Sequence, residues 1–139
     1  MQSGMCQLTG CLEELPQAQL HDFLAAGHFE PHLEFLRSFL RRRRDTLLEV
    51  LAQELPQGTV WTRPDGGYFL WLELPEAVDA TELTMRARLA GVAFVPGAGF
   101  FHGDRGRSTA RLSFSYPSVD EIRVGVHRLA RLVREAVER

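Results

Sequence analysis

The feature that most constrains the fold is a change in the spacing of apolar residues at Pro56. Before Pro56, leucine and phenylalanine recur every three or four residues, which is the spacing of one buried face on a helix. This apolar stripe consists of Leu33, Leu36, Phe39, Leu40, Leu47, Leu48, Leu51 and Leu55. We expect one long helix from roughly Glu30 to Leu55, with Pro31 in its first turn and Pro56 at its end. Such a helix needs a second layer on which to bury its stripe.

Beyond Pro56 this spacing stops, and short runs bounded by glycine and proline indicate the strands of a sheet. The predicted strands lie at Gly58–Arg63, Gly67–Leu74, Val92–Val95 and Thr109–Ser115. The turn-forming run from Pro64 to Gly66 joins the first two strands, and Pro96 stops the third. This sheet is the layer that the long helix requires.

Helical spacing returns in three further segments. One runs from Gln17 to Gly27, and a short helix spans Ala80–Ala90 with Asp79 as its N-cap. The last helix begins at Ser118, where Glu121 completes a capping box. We therefore predict an α+β fold in which helices cover one face of a small sheet of three to four strands.

The strand at Thr109–Ser115 indicates what the other face of the sheet carries. Its residues Ala110, Leu112 and Phe114 alternate with polar ones, so one face should be buried and the other open. On the open face we single out Arg111, because a guanidinium is a rigid fork that can bind a carboxylate through two hydrogen bonds. An arginine on an exposed strand is more often simply solvated, and the residues alone leave both interpretations open.

The composition limits the chemistry that the chain can perform. Its 139 residues include no lysine, and all 16 of its basic residues are arginine. A reaction that needs a lysine amine, such as formation of a Schiff base, cannot be run by this chain alone. The net charge of −2 creates no field that would attract nucleic acid or an anionic membrane, so neither is expected as a partner.

Sequence patterns also bear on the location of the protein. No apolar run reaches the ~20 residues that span a bilayer, and the N-terminus lacks the pattern of a signal peptide. Cys6 and Cys11 fit neither a CxxC motif nor a disulfide framework, so we expect free thiols in a reducing compartment. These features predict a cytoplasmic protein.

Two groups of charged or ligating residues could carry function, and each has a plainer interpretation. Arg41–Arg44 could bind phosphate, but consecutive helical residues point all around the axis, so we expect a mostly solvated turn. Within this run, Arg44 lies on the apolar stripe, with its stem packed and its head in solvent or on a carboxylate. His28 and His32 have a spacing that suits metal ligands on a helix. Structural or capping roles are favoured for both, because no third ligand lies nearby.

The loop from Pro96 to Ser108 is rich in glycine and is the most irregular stretch of the chain. It does not match a phosphate-binding loop, which needs a Lys-Ser/Thr ending or a following helix start. It is either a mobile surface loop or, given its aromatic and charged residues, a loop that lines a ligand cleft.

Five stretches of the sequence, taken in their order along the chain, form a specific pattern. They are FLAAGHFEPHLEFLR (Phe23–Arg37), RRRRDTLLEVL (Arg41–Leu51), GGYFLWLELP (Gly66–Pro75), GVAFVPGAGFF (Gly91–Phe101) and ARLSFSYPSVDEIRVGVHRLARLV (Ala110–Val133). Together they resemble the C-terminal small domain of the fold-type-I PLP-dependent aminotransferases, in the branch of 2-aminoadipate-type and multi-substrate transaminases. MocR-type transcription regulators share the likeness. The resemblance implies a small domain over residues 17–139 after an unmatched lead over residues 1–16.

The resemblance also implies a role for Arg111. In this family the arginine of the RLSF strand receives the substrate's α-carboxylate, and Arg111 matches it residue for residue. The glycine-rich loop would then lie near the mouth of the active site, in a domain that closes over the substrate. Pyridoxal phosphate would be bound by the parent protein and not by this chain alone, because the family's Schiff-base lysine lies in a large domain upstream of the matched stretches.

We therefore expect a small-domain fragment of an aminotransferase that exchanges amino groups between an amino acid and a 2-oxo acid, inactive alone. Its partners would be the missing large PLP domain and, in the parent protein, a second copy in a homodimer. One alternative is the effector-binding half of a MocR-type regulator, in which the same arginine holds an effector amino acid without turnover. The other alternative is an inert remnant domain.

Overall fold

The computed structural model describes residues 16–103 and 105–138 of the chain. Cys6 and Cys11, and nearly all of the unmatched lead, lie outside these residues. Helix α1 covers residues 16–25, and the elements that follow are α2 (Phe29–Glu54), β1 (Val60–Trp61), β2 (Phe69–Glu73), α3 (Ala80–Leu89), β3 (Val95–Pro96), a 3-10 helix (Gly97–Phe100), β4 (Thr109–Ser113) and α4 (Val119–Val137). Among the described helices, none has both the length and the apolar character needed to cross a membrane.

The chain divides into two compact units, with the boundary between Phe39 and Leu40 inside α2. Among the described residues of the N-terminal unit, the large apolar side chains at the surface are Leu20, Phe23, Leu24, Phe29, Phe35 and Phe39. The predicted burial of the whole apolar stripe is therefore wrong for the first half of α2, where Leu33 and Leu36 are only half-buried. Full burial begins at Thr46, where the helix packs on the core of the C-terminal unit.

The C-terminal unit is built on a four-stranded antiparallel sheet with the strand order β1-β2-β4-β3. The central pair is β2 with β4, in a register that sets Leu70 opposite Leu112. The two edge strands have only two residues each. Short edge strands leave few unpaired backbone groups for edge-to-edge association.

One face of this sheet packs against helices and forms the core. The largest fully buried side chains are Phe114, Leu51, Leu70, Leu72, Val78 and Val133, which come from α2, β2, α4 and the segments beside α3 and β4. Removing apolar area of this kind from water is the main favourable contribution to folding. The predicted α+β fold, with a small sheet covered by helices on one face, is confirmed.

Side-chain caps explain where α3 and α4 begin. One carboxylate oxygen of Asp79 accepts from the backbone N–H groups of Thr81 and Glu82, at 2.7 and 3.2 Å. The hydroxyl of Ser118 accepts from Glu121 N–H at 3.2 Å, and the Glu121 carboxylate accepts from Ser118 N–H at 2.7 Å. That reciprocal bond from the Ser118 backbone is the main reason that the pKa of Glu121 is lowered. Both predicted caps are confirmed.

All four strands differ in their bounds from the prediction, and the two edge strands differ most. The first strand was predicted at Gly58–Arg63, but β1 contains only Val60–Trp61. The third was predicted at Val92–Val95 and stopped by Pro96, whereas β3 is Val95–Pro96 and Pro96 lies opposite Ala110. A proline is tolerated there because β3 is an edge strand, where a missing N–H donor need not face a neighbour.

Candidate functional site

Arg111 lies at the middle of β4, on the face of the sheet that does not join the core. Its neighbours Ala110 and Leu112 are buried, whereas Arg111 is half-buried. Trp71 of β2 lies opposite it on one side and Val95 of β3 on the other. The side chain is therefore on the open face, where the alternation of the sequence predicted it.

Two phenyl rings flank the guanidinium of Arg111. Its Cζ atom lies 4.1 Å from the ring centroid of Phe69 and 4.8 Å from that of Phe100. Phe69 belongs to β2 and Phe100 to the 3-10 helix after β3, so the rings come from elements on either side of β4. At such distances the aromatic faces attract a cation. Trp71 contacts Phe100 edge-on at 5.3 Å between centroids, and we call these four residues the Arg111 cluster.

The polar atoms of Arg111 lack partners within the described part of the chain. Its Nε atom is buried and forms no hydrogen bond there. Nor does any ion pair between described residues include its guanidinium. A half-buried cation without a counter-charge favours the binding of an anion, and its planar fork suits a carboxylate. The Arg111 cluster can therefore bind a small carboxylate.

Two glycines of the glycine-rich loop are closely packed, one against β4 and the other against a ring of the loop itself. A Cβ atom at Gly97 would lie 1.8 Å from Oγ1 of Thr109, so no larger residue fits without a shift. A Cβ atom at Gly106 would lie 2.3 Å from the ring of Phe101, and the φ of Gly106 is +77°, which favours glycine. Asp104 lies outside the described residues. The described part of the loop packs beside the cluster, and its proposed place in the lining of a ligand cleft stays a prediction.

The far end of the same loop is tied to the start of α3. Arg107 Nε donates to the carboxylate of Asp79 at 2.8 Å, and the carbonyl of Ser108 accepts from Leu74 N–H at 2.7 Å. Desolvation alone would raise the pKa of Asp79. The hydrogen bonds from the Glu82 backbone and from Arg107 outweigh it, so the pKa of Asp79 is lowered overall. The loop is therefore anchored at both ends.

The four-arginine run of α2 is only half solvated, contrary to the prediction of a mostly solvated turn. Its first two members are exposed, but Arg43 and Arg44 are half-buried. Arg43 donates to the carbonyl of Ser115, just beyond β4. Arg44 donates to the carboxylate of Asp45 at 2.7 Å and to the carbonyl of Pro64 at 3.1 Å, so its predicted packed stem and paired head are confirmed. These arginines hold neighbouring segments in place.

His28 and His32 share an aromatic neighbour. The ring of Phe23 lies 5.7 Å from the imidazole of His28 and 6.1 Å from that of His32, between centroids. Packing of this kind is the structural role that the sequence favoured for both histidines. Within the described residues, no group of three or more potential ligands is arranged to hold a metal ion.

Sequence reasoning singled out Arg111 but missed the rings that surround it. Phe69 precedes Arg111 by 42 residues and Phe100 by 11, and only the strand order brings them together. One signal was present: Phe69 and Trp71 alternate with the buried Leu70 and Leu72. Exposed aromatic residues on the polar side of a strand pattern indicate a binding surface.

The chain is thus an α+β domain with an arginine held between phenyl rings on the open face of its sheet. Comparison with known proteins shows the family to which this domain belongs. The family model described as aspartate amino-transferase matches residues 17–139. The chain belongs to this aminotransferase family.

Individual relatives agree with this assignment. The chain is 34% identical to the aromatic-amino-acid aminotransferase 1 of Thermococcus litoralis, over 93% of this chain and 31% of that protein. It superposes with a TM-score of 0.79 and 38% identity on the α-aminoadipate aminotransferase LysN of Thermus thermophilus, covering 86% of this chain and 30% of that one. It is also 32% identical to the HTH-type transcriptional regulator YdcR of Escherichia coli, over 86% of this chain and 25% of that protein. The chain thus spans about a third or less of the length of these relatives.

Pyridoxal phosphate is the cofactor of this family, and the LysN structure holds its leucine derivative, N-(5'-phosphopyridoxyl)-L-leucine. The residues of this chain do not fit the cofactor by themselves. A Schiff base requires a lysine amine, and the sequence has no lysine. The Arg111 cluster offers a guanidinium beside phenyl rings, which can bind an anion but supplies no amine for the cofactor.

Proposed function

We propose that residues 17–139 are the small domain of a PLP-dependent aminotransferase and that Arg111 receives the α-carboxylate of its substrates. The observation that carries this proposal is the half-buried guanidinium of Arg111, which has no counter-charge among the described residues. The family match supports the same role. The reaction is the exchange of an amino group between an amino acid and a 2-oxo acid.

A single arginine can serve both directions of this exchange. The amino acid and the 2-oxo acid each carry a carboxylate on the carbon that loses or gains nitrogen. A site that fixes the carboxylate therefore holds the reacting carbon in one place for both compounds, which lowers the entropic cost of reaching the transition state. The aromatic rings beside Arg111 would exclude water from this pair and strengthen it.

This chain supplies binding and orientation, while the cofactor and its lysine come from a large domain outside this sequence. We accordingly propose that the chain alone is inactive and that the parent protein is a homodimer. The substrates of the parent are an amino acid and a 2-oxo acid, and nucleic acid is not a partner of this domain. A cytoplasmic location remains a prediction from the sequence patterns described above.

The test is a chimera in which residues 17–139 replace the small domain of the Thermus thermophilus α-aminoadipate aminotransferase. Two substrates are compared: L-leucine, and 3-methylbutylamine, which has the same side chain and amine but no carboxylate. Arg111→Ala should lower kcat/KM for L-leucine by the equivalent of about 2–5 kcal/mol, the cost of truncating one partner of a desolvated charge pair. The reaction with 3-methylbutylamine should change by less than about twofold, within the effect of a surface substitution.

Arg111→Lys is the matched variant, because it keeps the charge but loses the planar fork. It should recover only part of the kcat/KM for L-leucine. Equal losses for the two substrates, or no loss for L-leucine, would reject the assignment of Arg111.

A second function is favoured by the likeness to the regulator YdcR. In a regulator of this type, Arg111 would hold the carboxylate of an effector amino acid without turnover. The reading frame that carries this chain distinguishes the two. A DNA-binding helix-turn-helix domain encoded upstream supports the regulator, whereas a PLP domain without one supports the enzyme.

A further inference from the structure

We propose that Phe69 and Phe100 are positioning residues, which fix the guanidinium of Arg111 so that its two terminal Nη atoms face the ligand. This inference rests on the proposed carboxylate role of Arg111 and assigns a task to two residues that do not themselves bind the carboxylate. An arginine side chain loses about 2 kcal/mol of rotamer freedom when it is held in one conformation. Something other than the ligand must hold Arg111 if the site is to be ready before the ligand arrives.

Polar contacts do not hold this side chain within the described part of the chain. Its Nε atom has no partner there, and its charge has no counter-charge. The contacts that remain are the ring faces of Phe69 at 4.1 Å and Phe100 at 4.8 Å from Cζ. Contacts over a ring face restrain a guanidinium without using its hydrogen-bond donors, so the donors stay available.

Burial also limits the direction from which a ligand can approach. Because Nε is buried, a carboxylate cannot use the edge of the fork formed by Nε and one Nη atom. The edge formed by the two Nη atoms remains. The carboxylate should therefore bind end-on, with one oxygen on each Nη atom, at the roughly 2.7–2.9 Å of a charge-assisted hydrogen bond.

Phe100 is itself held in place. Trp71 contacts its ring at 5.3 Å with an interplanar angle of 84°, and the tight packing of Gly97 on Thr109 fixes the turn that carries it. Phe101 provides a matched control in the same segment. Phe101 is 42% exposed and Phe100 is 47% exposed, and the ring of Phe101 also contacts Trp71. The rings over which the guanidinium of Arg111 lies, however, are those of Phe69 and Phe100.

The first experiment measures the order of the Arg111 side chain by NMR in the 139-residue chain without a ligand. In the wild type, the order parameter of the Nε–H bond should be near that of rigid backbone, about 0.8, and the side-chain protons should show an upfield ring-current shift. Phe69→Leu and Phe100→Leu should each lower the order parameter below about 0.6 and reduce the shift, while Phe101→Leu should change neither. A mobile Arg111 in the wild type, or the same loss in all three variants, would overturn the proposal.

The second experiment uses the chimera described above, with L-leucine as substrate. Phe69→Leu and Phe100→Leu should raise KM about three- to tenfold, the strength of one cation–π contact, with kcat within about twofold. Phe101→Leu should leave both constants within about twofold of the parent values. If Arg111→Ala impairs the reaction of L-leucine but the two ring variants do not raise KM, the positioning role fails and the carboxylate role stands. If Arg111→Ala has no effect, the carboxylate role itself fails.

Discussion

The two faces of β4 differ in what holds their side chains. On the inner face, Ala110, Leu112 and, just beyond the strand, Phe114 are each at most 7% exposed and belong to the core. On the outer face, Arg111 is half-buried and Ser113 is exposed. The inner residues are fixed by the apolar area they remove from water. Arg111 is held by aromatic faces and leaves its hydrogen-bonding capacity unused by described residues.

This contrast separates residues that stabilise the domain from residues available for binding. A half-buried cation that has no counter-charge among the described residues costs free energy in the unliganded state, and a fully buried core position would make this cost larger. If Arg111 has the carboxylate role proposed above, the core provides the stability of the domain and the open face provides the recognition.

The inner face should respond most strongly. Phe114→Ala removes a phenyl ring that is 1% exposed and should lower the free energy of unfolding by about 3–5 kcal/mol. Urea denaturation followed by tryptophan fluorescence and circular dichroism measures this. The neighbouring Ser113→Ala, on the open face, should change the free energy by no more than about 0.5 kcal/mol. Similar effects for the two variants would contradict the separation of the faces.

A tight packing point beneath the open face should give the next effect. Gly97→Ala places a methyl group against Thr109 and should destabilise the domain by about 1–3 kcal/mol, as overpacking does. Gly99→Ala, two residues on, meets no atom within 4 Å and serves as the control. Gly97→Ala should also reduce the ring-current shift of Arg111, because the turn that carries Phe100 must move. Equal free energies of unfolding for the two variants would contradict this prediction, because the loop would then accommodate the methyl group at Gly97 without loss of stability.

The anchor at the start of α3 should make stability depend on pH. Because hydrogen bonds lower the pKa of Asp79 in the folded state, its contribution is complete above the unfolded pKa of about 3.9. It is lost as the pH falls through the lower folded pKa. Asp79→Ala should therefore cost about 0.5–2 kcal/mol at pH 7, and the gap to the wild type should narrow towards pH 2. Thermal unfolding of both proteins from pH 2 to 7 measures the gap, and a gap independent of pH would refute this account.

Arg111 should have the smallest effect on stability despite its proposed role in binding. Arg111→Ala removes two cation–π contacts but also a buried Nε that has no hydrogen-bond partner among the described residues. The free energy of unfolding should therefore change by less than about 1 kcal/mol. Urea denaturation of the 139-residue chain again provides the measurement. A loss as large as that of Phe114→Ala would mean that the open face also stabilises the fold.

The sequence predicted local features of this molecule better than distant ones. The capping box of Ser118 and Glu121, the N-cap Asp79 and the outward position of Arg111 depend on residues a few positions apart, and all are confirmed. The ring of Phe69 over Arg111 depends on strand order, which spacing does not determine. The third strand was misplaced because proline breaks ladders inside a sheet, and the sequence does not reveal that β3 is an edge.

The apolar stripe of α2 illustrates a second limit. Periodicity predicts which residues share a helix face, and Leu47 and Leu51 of that face are buried. It does not predict how much of the face is covered by other residues of the same chain, and Phe39 of that face is exposed while Leu33 and Leu36 are half-buried. For a domain matching about 30% of its relatives' length, an apolar face can be correctly predicted and still lie at the surface.

The register of the central strands has a consequence for how quickly this chain can fold. Leu70 and Leu112 lie opposite each other in the sheet although 42 residues separate them in the sequence. Before β2 can pair with β4, the chain must lose the conformational entropy of closing that long loop, and the strand contacts offset this cost only once they form. Such non-local pairing slows folding relative to helical bundles. Helices α3 and α4 draw their backbone hydrogen bonds from local contacts and can form early, so the strand that presents Arg111 takes its final place late.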